Sequence, residues 1–484
     1  MTVVTHPAAL RAAAARASAV VAAPRAHPSA EYWLCLAAIA WGAAAFGAVY
    51  PWAYWPLAGV CVAAGVIGVL NNRAAAHTSA ALCVALAAVG VAALLQVVPL
   101  PFGTLTRISP ATAGLLGDLD PSTAAGLTGS HAISIDPFAT IAAVALFVSF
   151  AILLLGVARM LSARGARSLV EGLTIVAVLL ALAGIVQKPL YAGRIFGFWT
   201  PEQEGTPFGP FVNRNHFAGW MLLAMPLTLS LLAAGITHAM RGIRPGWRHR
   251  VLWLSSPEAN VLILLAAAIA VMSLSLVMTM SRSGMSALAV AILLTGCFIV
   301  RGGGSRTRRA TAWAYLLLLV AVTVAWAGTD AIAARFSQTD WSEFNTRRGA
   351  WTDAWNIARA FPLAGTGLNT YGTATLFYQQ HDLAQHYAQA HSDYLQLAAE
   401  GGLILVLPAV AALVCFVRDV VRRFREDDPG STAWWLRGGA VTALLAVALQ
   451  ESVDFSLQMP GNAALFAIVC AVALHQPRPH RRAI

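Results

Sequence analysis

Along this chain, apolar runs of about 20 residues alternate with short polar joints, and the alternation breaks once, between Asp330 and Gly402. A run of about 20 apolar residues crosses the hydrocarbon layer as a helix. Twelve are predicted, near 33–50, 52–70, 79–98, 137–158, 168–187, 214–235, 259–280, 283–300, 310–328, 401–418, 433–451 and 460–475. Only Tyr50, Pro51 and Trp52 separate the first two, so they must form a tight helical hairpin. The expected fold is all-α: a polytopic transmembrane helical protein of about 12 spans with a large helical extracytoplasmic loop. It divides into a cytoplasmic N-terminal segment (1–30), N-terminal transmembrane helices (31–204), a core at 205–410 that includes an extracytoplasmic loop at 329–400, C-terminal transmembrane helices (411–475) and a cytoplasmic tail (476–484).

Composition agrees, with 58% hydrophobic and 11% charged residues against about 25% charged in soluble domains. The net charge of +11 invites a nucleic-acid reading until the cations are placed. With the N-terminus inside, every inside joint is basic and most of the 32 Lys and Arg residues fall there, as short cytoplasmic loops require. The charge is therefore a topology signal, and no nucleic-acid partner is expected. Arg11, Arg16 and Arg25 lead into a run too long for a signal-peptide core, which predicts an uncleaved anchor. The six cysteines, Cys35, Cys61, Cys83, Cys297, Cys415 and Cys470, sit in or beside apolar runs without C-x-x-C spacing. Neither a disulfide framework nor a metal site is expected. No Gly-rich phosphate loop marks a nucleotide site. Residues 99–136 read as turns with a short interfacial helix, and Arg422 to Asp428 as a solvated connector.

The cations left outside gather in three segments, 188–214, 282 and 335–359. In FGPFVNRNHFAGW, Phe208 to Trp220, the residues Asn213, Arg214, Asn215 and His216 stand where an outside loop enters a helix. Side-chain donors and free backbone N–H groups there suit an anion such as phosphate; a helix cap with a snorkelling arginine is the alternative, but four consecutive polar residues are more than a cap requires. In MTMSRSGM, Arg282 interrupts a long apolar stretch. An arginine at the bilayer centre costs about 2.5–3.5 kcal/mol, which makes it a functional candidate. Ser281, Ser283 and Gly284 mark a break that places it at the outer surface.

Within the long loop, Arg347 and Arg348 precede Trp351 and Trp355 on a short amphipathic helix ending near Pro362, with Arg348, Trp351 and Trp355 on one face. The rings fit a small loop core equally well. Guanidinium forks pair bidentately with phosphate, and either arginine can be the one that points inward. Asn369 and Tyr371, in PLAGTGLNTYG, are further candidate substrate contacts. His391, in AHSDYLQLAAEGG, is a natural general base for a hydroxyl nucleophile, with His381 and His386 in a less patterned stretch nearby. Asp393 is too close in sequence to orient it. Glu451 and Asp454, in LQESVDFSLQMPGN, are placed to pair with outside arginines or to contact an acceptor.

The order FVNRNHFAGW, TMSRSG, RRGAWTDAW with PLAGTGLNTYG, and AHSDYLQLAAEGG resembles the O-antigen ligase and polysaccharide polymerase superfamily of bacterial envelopes over about 205–410. The resemblance implies a metal-independent, cofactor-free membrane glycosyltransferase whose donor is undecaprenyl-diphosphate-linked oligosaccharide. It implies that Arg214, Arg282 and one of Arg347 or Arg348 hold the diphosphate, and that His391 activates the acceptor hydroxyl. His391-Ser392 stands where the family often has His-Asn. The acceptor divides the superfamily: another lipid-linked repeat for a polymerase, lipid A core for a ligase, a protein hydroxyl in a third branch. SVDFSLQMPGNAALF is similar to members tied to exopolysaccharide synthesis, which favours a polymerase in the bacterial inner membrane with its active loop periplasmic. The rival from another class is a glycan transporter. It calls for midplane ionisable residues and internal repeats, whereas the polar residues here lie at the outer ends.

Overall fold

The computed structural model describes residues 29–76, 78–202, 205–242, 257–301 and 341–477. Eleven of the twelve predicted runs coincide with helices; that at 310–328 lies outside the described residues. These helices are α1 (Ala30–Ala44), α2 (Pro51–Asn71), α3 (Ala80–Leu95), α7 (Pro137–Arg164), α8 (Arg167–Leu190), α9 (Arg214–Gly242), α10 (Pro257–Met278), α11 (Arg282–Arg301), α14 (Asp393–Glu426), α15 (Thr432–Gln450) and α16 (Pro460–Leu474). Seven are long and apolar enough to cross a membrane, and α1, α3, α11 and α16 contribute shorter apolar helical stretches. The fold is that of an all-α polytopic membrane protein.

Local chemistry sets the boundaries. Proline opens α2, α7 and α16, where its missing N–H costs nothing. Ser79, Asp136 and Ser431 cap α3, α7 and α15. The α1–α2 hairpin is closed by Trp41 Nε1, which donates to Ala53 O at 2.8 Å. The α2–α7 pair approaches so closely that a Cβ on Gly65 would enter the Ile152 backbone and one on Gly156 would enter that of Gly65, the packing small residues permit between spans. Helix α9 is the axis of the bundle, with 89% of its apolar window buried, while α14, at 22%, lies on the periphery.

At one end of the bundle, buried Glu31 accepts from Asn71 and Asn72 and pairs with Arg164 at 3.5 Å. At the same end Arg437, 0% exposed, pairs with Asp427 at 2.8 Å and donates to the carbonyls of Ala473 and His475. Within the Arg422 to Asp428 stretch, Arg423 and Asp427 are withdrawn into ion pairs, while Arg422, Arg425, Glu426 and Asp428 stay exposed as a solvated connector would. Burial of Arg437 demanded a buried carboxylate partner.

The opposite end carries the loops. Residues 99–136 form α4 (Phe102–Ile108), α5 (Pro110–Leu119) and α6 (Pro121–Ala124), closed by a two-stranded antiparallel sheet, β1 (Leu100–Pro101) with β2 (Ser130–His131). That is more structure than the expected turns and one short helix. The long loop supplies α12 (Trp341–Ala360) and α13 (Tyr371–Tyr378). It is fastened by Gln96, whose Nε2 donates to Ala364 O and Glu400 O at 2.8 and 2.7 Å and whose Oε1 accepts from Leu368 N. Two glycines permit the docking. Gly402, at φ +54°, breaks α14 so that Leu403 N and Ile404 N bond Pro362 O and Leu363 O. A Cβ on Gly365, at φ +66°, would enter the Glu400 main chain.

Candidate functional site

Three chain breaks meet at the loop-bearing end. The first is the entry to α9, where Asn213 Oδ1 accepts from Asn215 N at 2.8 Å and Arg214 N bonds Thr206 O at 2.8 Å. Asn213 is the helix cap, and the cap reading suffices for it. Asn215 turns its side chain to the Asp454 carboxylate. His216 is buried and its ring packs edge-on against Phe455 at 4.7 Å.

The second break separates α10 from α11. Met280 turns at φ +55°, and Ser281 Oγ accepts from Gly284 N at 3.2 Å, so Arg282 opens α11. The expected interruption is present, and Ser283 Oγ donates to Asp454 Oδ2 at 3.3 Å. The third is the α15–α16 turn. There Phe455 N donates to Asp454 Oδ1 at 3.0 Å, and Arg347 of α12 adds a favourable charge. Burial pushes the Asp454 carboxyl above its ordinary value, while Arg347, Phe455, Ser283 and Asn215 oppose that shift. One buried carboxylate therefore touches the neighbours of Arg214 and Arg282 and feels Arg347.

On α12 the two arginines separate. Arg347 is half-buried and acts on His391 and Asp454, whereas Arg348 is exposed. Trp351, one turn beyond Arg347, is half-buried and donates Nε1 to His391 O at 3.0 Å, while Trp355 is 55% exposed. The inward face of α12 thus runs through Arg347 and Trp351, and Trp355 forms no loop core. His391 sits at φ +51°, a strained conformation for a residue with a Cβ, and the Trp351 bond helps to hold it. Its ring packs edge-on against Phe455 at 4.9 Å, so Phe455 lies between the two histidines. Burial, then the Arg347 charge, lowers the His391 imidazole to about 4. It is neutral at pH 7, and among the described residues neither ring nitrogen has a hydrogen-bond partner.

Asp393 is engaged elsewhere, as its sequence offset predicts. Its Oδ1 accepts from Gln458 Nε2 at 3.0 Å, its N–H bonds Glu451 O, and its carboxyl group hydrogen-bonds that of Glu451. Two carboxyl groups bond only through a shared proton. Burial first, and the Asp393 charge second, hold Glu451 well above the usual carboxylate range.

Two expected contacts fall outside this cluster. Tyr371 is buried in a small core with Ala354, Ile357 and Phe361, and its hydroxyl donates to Ala350 O at 3.2 Å. The substrate contact expected of it is replaced by a structural one, because the first turn of α13 faces that core. Asn369 is exposed at φ +60°, its N–H given to Glu400. His381 forms a 2.7 Å pair with buried Asp353, and His386 is exposed. The sequence carried no signal for Phe455, an aromatic between two apolar spans. Asp454 was expected, with Glu451, to pair with outside arginines or contact an acceptor, and Arg347 does act on it.

Fold and site together define a polytopic helical membrane protein with arginines and a neutral histidine assembled at one end of its bundle. Residues 267–410 match the family described as O-Antigen ligase, so this stretch of the chain is similar to that family. No curated protein matches the chain. The matched stretch contains Arg282, Arg347 and His391, while Arg214 and Asp454 lie beyond it.

Proposed function

We propose that this protein is a glycosyltransferase of the bacterial inner membrane that joins undecaprenyl-diphosphate-linked glycan repeats into exopolysaccharide or O-antigen, with the loop-bearing end periplasmic. The observation that carries the reading is the buried Asp454 carboxylate, which ties the segments bearing Arg214 and Arg282 to Arg347 beside an unprotonated His391. His391 takes the proton of the acceptor hydroxyl as its oxygen bonds the donor's anomeric carbon. The bond from that carbon to the diphosphate oxygen breaks, and the carrier lipid diphosphate leaves with the electron pair. Charge grows on the leaving group, where fixed cations lower the barrier most. Arg214, Arg282 and Arg347 have that role. The histidinium would be disfavoured by Arg347 alone, and the negative diphosphate offsets this once bound.

The acceptor is the sugar end of another lipid-linked repeat. The family's description supports a second reading, transfer to lipid A core by a ligase. Wild type, Arg282→Ala and His391→Ala, at matched membrane levels in a host lacking the gene, separate these. Loss of long chains with single repeats retained supports the polymerase. Long chains that stay on carrier lipid and fail to reach lipid A core identify the ligase. Unchanged glycans in both variants refute the site.

A further inference from the structure

The last turn of α8 reaches the site and brings a cation that the arginine cluster does not include. Lys188 Nζ donates to Met278 O at 2.5 Å. Met278 is the final residue of α10, four positions before Arg282. Gln187 fixes this turn from the other side: its Nε2 donates to Gly209 O at 2.7 Å and its Oε1 accepts from Phe196 N at 3.0 Å. Gly209 lies in the strand of chain that leads into Asn213 and Arg214. Lys188 is thereby held between the two arginine-bearing breaks, within electrostatic range of Arg214.

Among the described residues no carboxylate pairs with Lys188, and its one hydrogen bond is to Met278 O. An ammonium group has three donors, so two remain for a ligand. Fixing an ammonium near a guanidinium costs repulsion that a bound anion reverses. Capping the α10 carbonyl alone needs no such neighbour, and Gln would perform it without the charge.

We propose that Lys188 is a further binding residue for the donor's phosphate groups, a cation that acts with Arg214 and Arg282 on the carrier-lipid diphosphate. This rests on the donor reading given above. The same chemistry would also suit a phospholipid headgroup, and the test distinguishes the two.

The full chain in nanodiscs of phosphatidylcholine, with or without phosphatidylglycerol, is titrated with undecaprenyl diphosphate for wild type, Lys188→Gln, Lys188→Arg and Arg282→Ala. Thermal melting is followed in parallel. The expected result is about a tenfold weaker affinity for Lys188→Gln, the scale of one charge-assisted hydrogen bond, near-wild-type affinity for Lys188→Arg and unchanged melting for both. Wild-type affinity in Lys188→Gln with weakened Arg282→Ala overturns the Lys188 assignment and leaves the donor reading intact. Wild-type affinity in both overturns the donor reading and the assignment with it. Equal weakening in Lys188→Gln and Lys188→Arg, with earlier melting of each, makes Lys188 a helix cap only. A Lys188→Gln effect confined to discs with phosphatidylglycerol makes the phospholipid its ligand.

Discussion

Ser283 donates its hydroxyl to the buried carboxylate of Asp454 at 3.3 Å, although 171 residues separate them. That bond fastens the first turn of α11, which Arg282 opens, to the α15–α16 turn. Asn215, next to Arg214, reaches the same carboxylate. Truncating one partner of a buried hydrogen-bonded charge pair costs about 2–5 kcal/mol. Asp454→Asn keeps the shape and one acceptor but removes the charge, so we expect transfer rates in membranes to fall by about 30-fold or more. Correct membrane insertion, checked by protease resistance, should persist. A variant that transfers glycan at the wild-type rate would remove Asp454 from its place at the centre of the site.

Arg347 and Arg348 are adjacent in sequence and unequal in environment. Arg347 acts on both His391 and Asp454, whereas Arg348 is exposed. Exposed charges contribute about 0–1 kcal/mol, whereas a preorganised charge at a transition state is worth about 3–4 kcal/mol. Arg347→Ala should lower the transfer rate by about 100-fold or more, and Arg348→Ala by less than about fivefold. Rates measured with one donor preparation decide between them, and the reverse ranking would put the wrong face of α12 toward the substrate.

The spans, the break before Arg282 and the site end of the bundle were legible because each rests on local chemistry. An apolar run needs a helix, and an arginine within apolar sequence needs an exit. The choice between Arg347 and Arg348 was not legible, because it depends on how α12 docks. That docking is fixed by Gln96, in a distant apolar run, and Glu400, at the end of the long loop, whose hydrogen bonds to residues 364–371 no periodicity announces. Phe455 was invisible for the same reason. Tyr371 misled, since a polar-tipped aromatic in a glycine-rich loop fits a sugar contact until Ala350 O is found to accept from its hydroxyl.

His391 should give an unusual acid limb. Burial and Arg347 lower its imidazole to about 4 in the free protein, and the pH dependence of kcat/KM reports the free enzyme. The limb should therefore lie nearer 4 than the ordinary 6.5, with activity retained at pH 6. Removing the cation favours the imidazolium, so Arg347→Gln should move the limb upward. Stability follows the same sign: an unfolded chain binds this proton below about 6.5 and the folded one only near 4. The histidine's contribution to stability is thus full above 6.5 and is lost as pH falls toward 4. A kcat/KM limb at 6.5 in both proteins would mean that Arg347 does not act on His391.

The Asp393–Glu451 pair makes the opposite prediction in alkali. Its hydrogen bond exists only while one proton is shared, and Glu451 is held well above the usual carboxylate range by burial and by Asp393. A carboxyl group raised in the folded state favours folding most in acid. That contribution declines as pH rises from the unfolded value of about 4.5 through the raised folded value. Beyond that, two buried carboxylates face each other and push the start of α14 away from the α15–α16 turn. Glu451→Gln supplies a permanent N–H donor for Asp393 and removes the second charge. It should keep transfer activity within a few-fold of wild type and flatten the alkaline loss of thermal stability. Glu451→Ala leaves Asp393 without that donor and should lose both activity and stability. Melting profiles of the three proteins from pH 5 to 10 test this, and an alkaline loss as steep in Glu451→Gln as in wild type would show that the shared proton does not join these two helices.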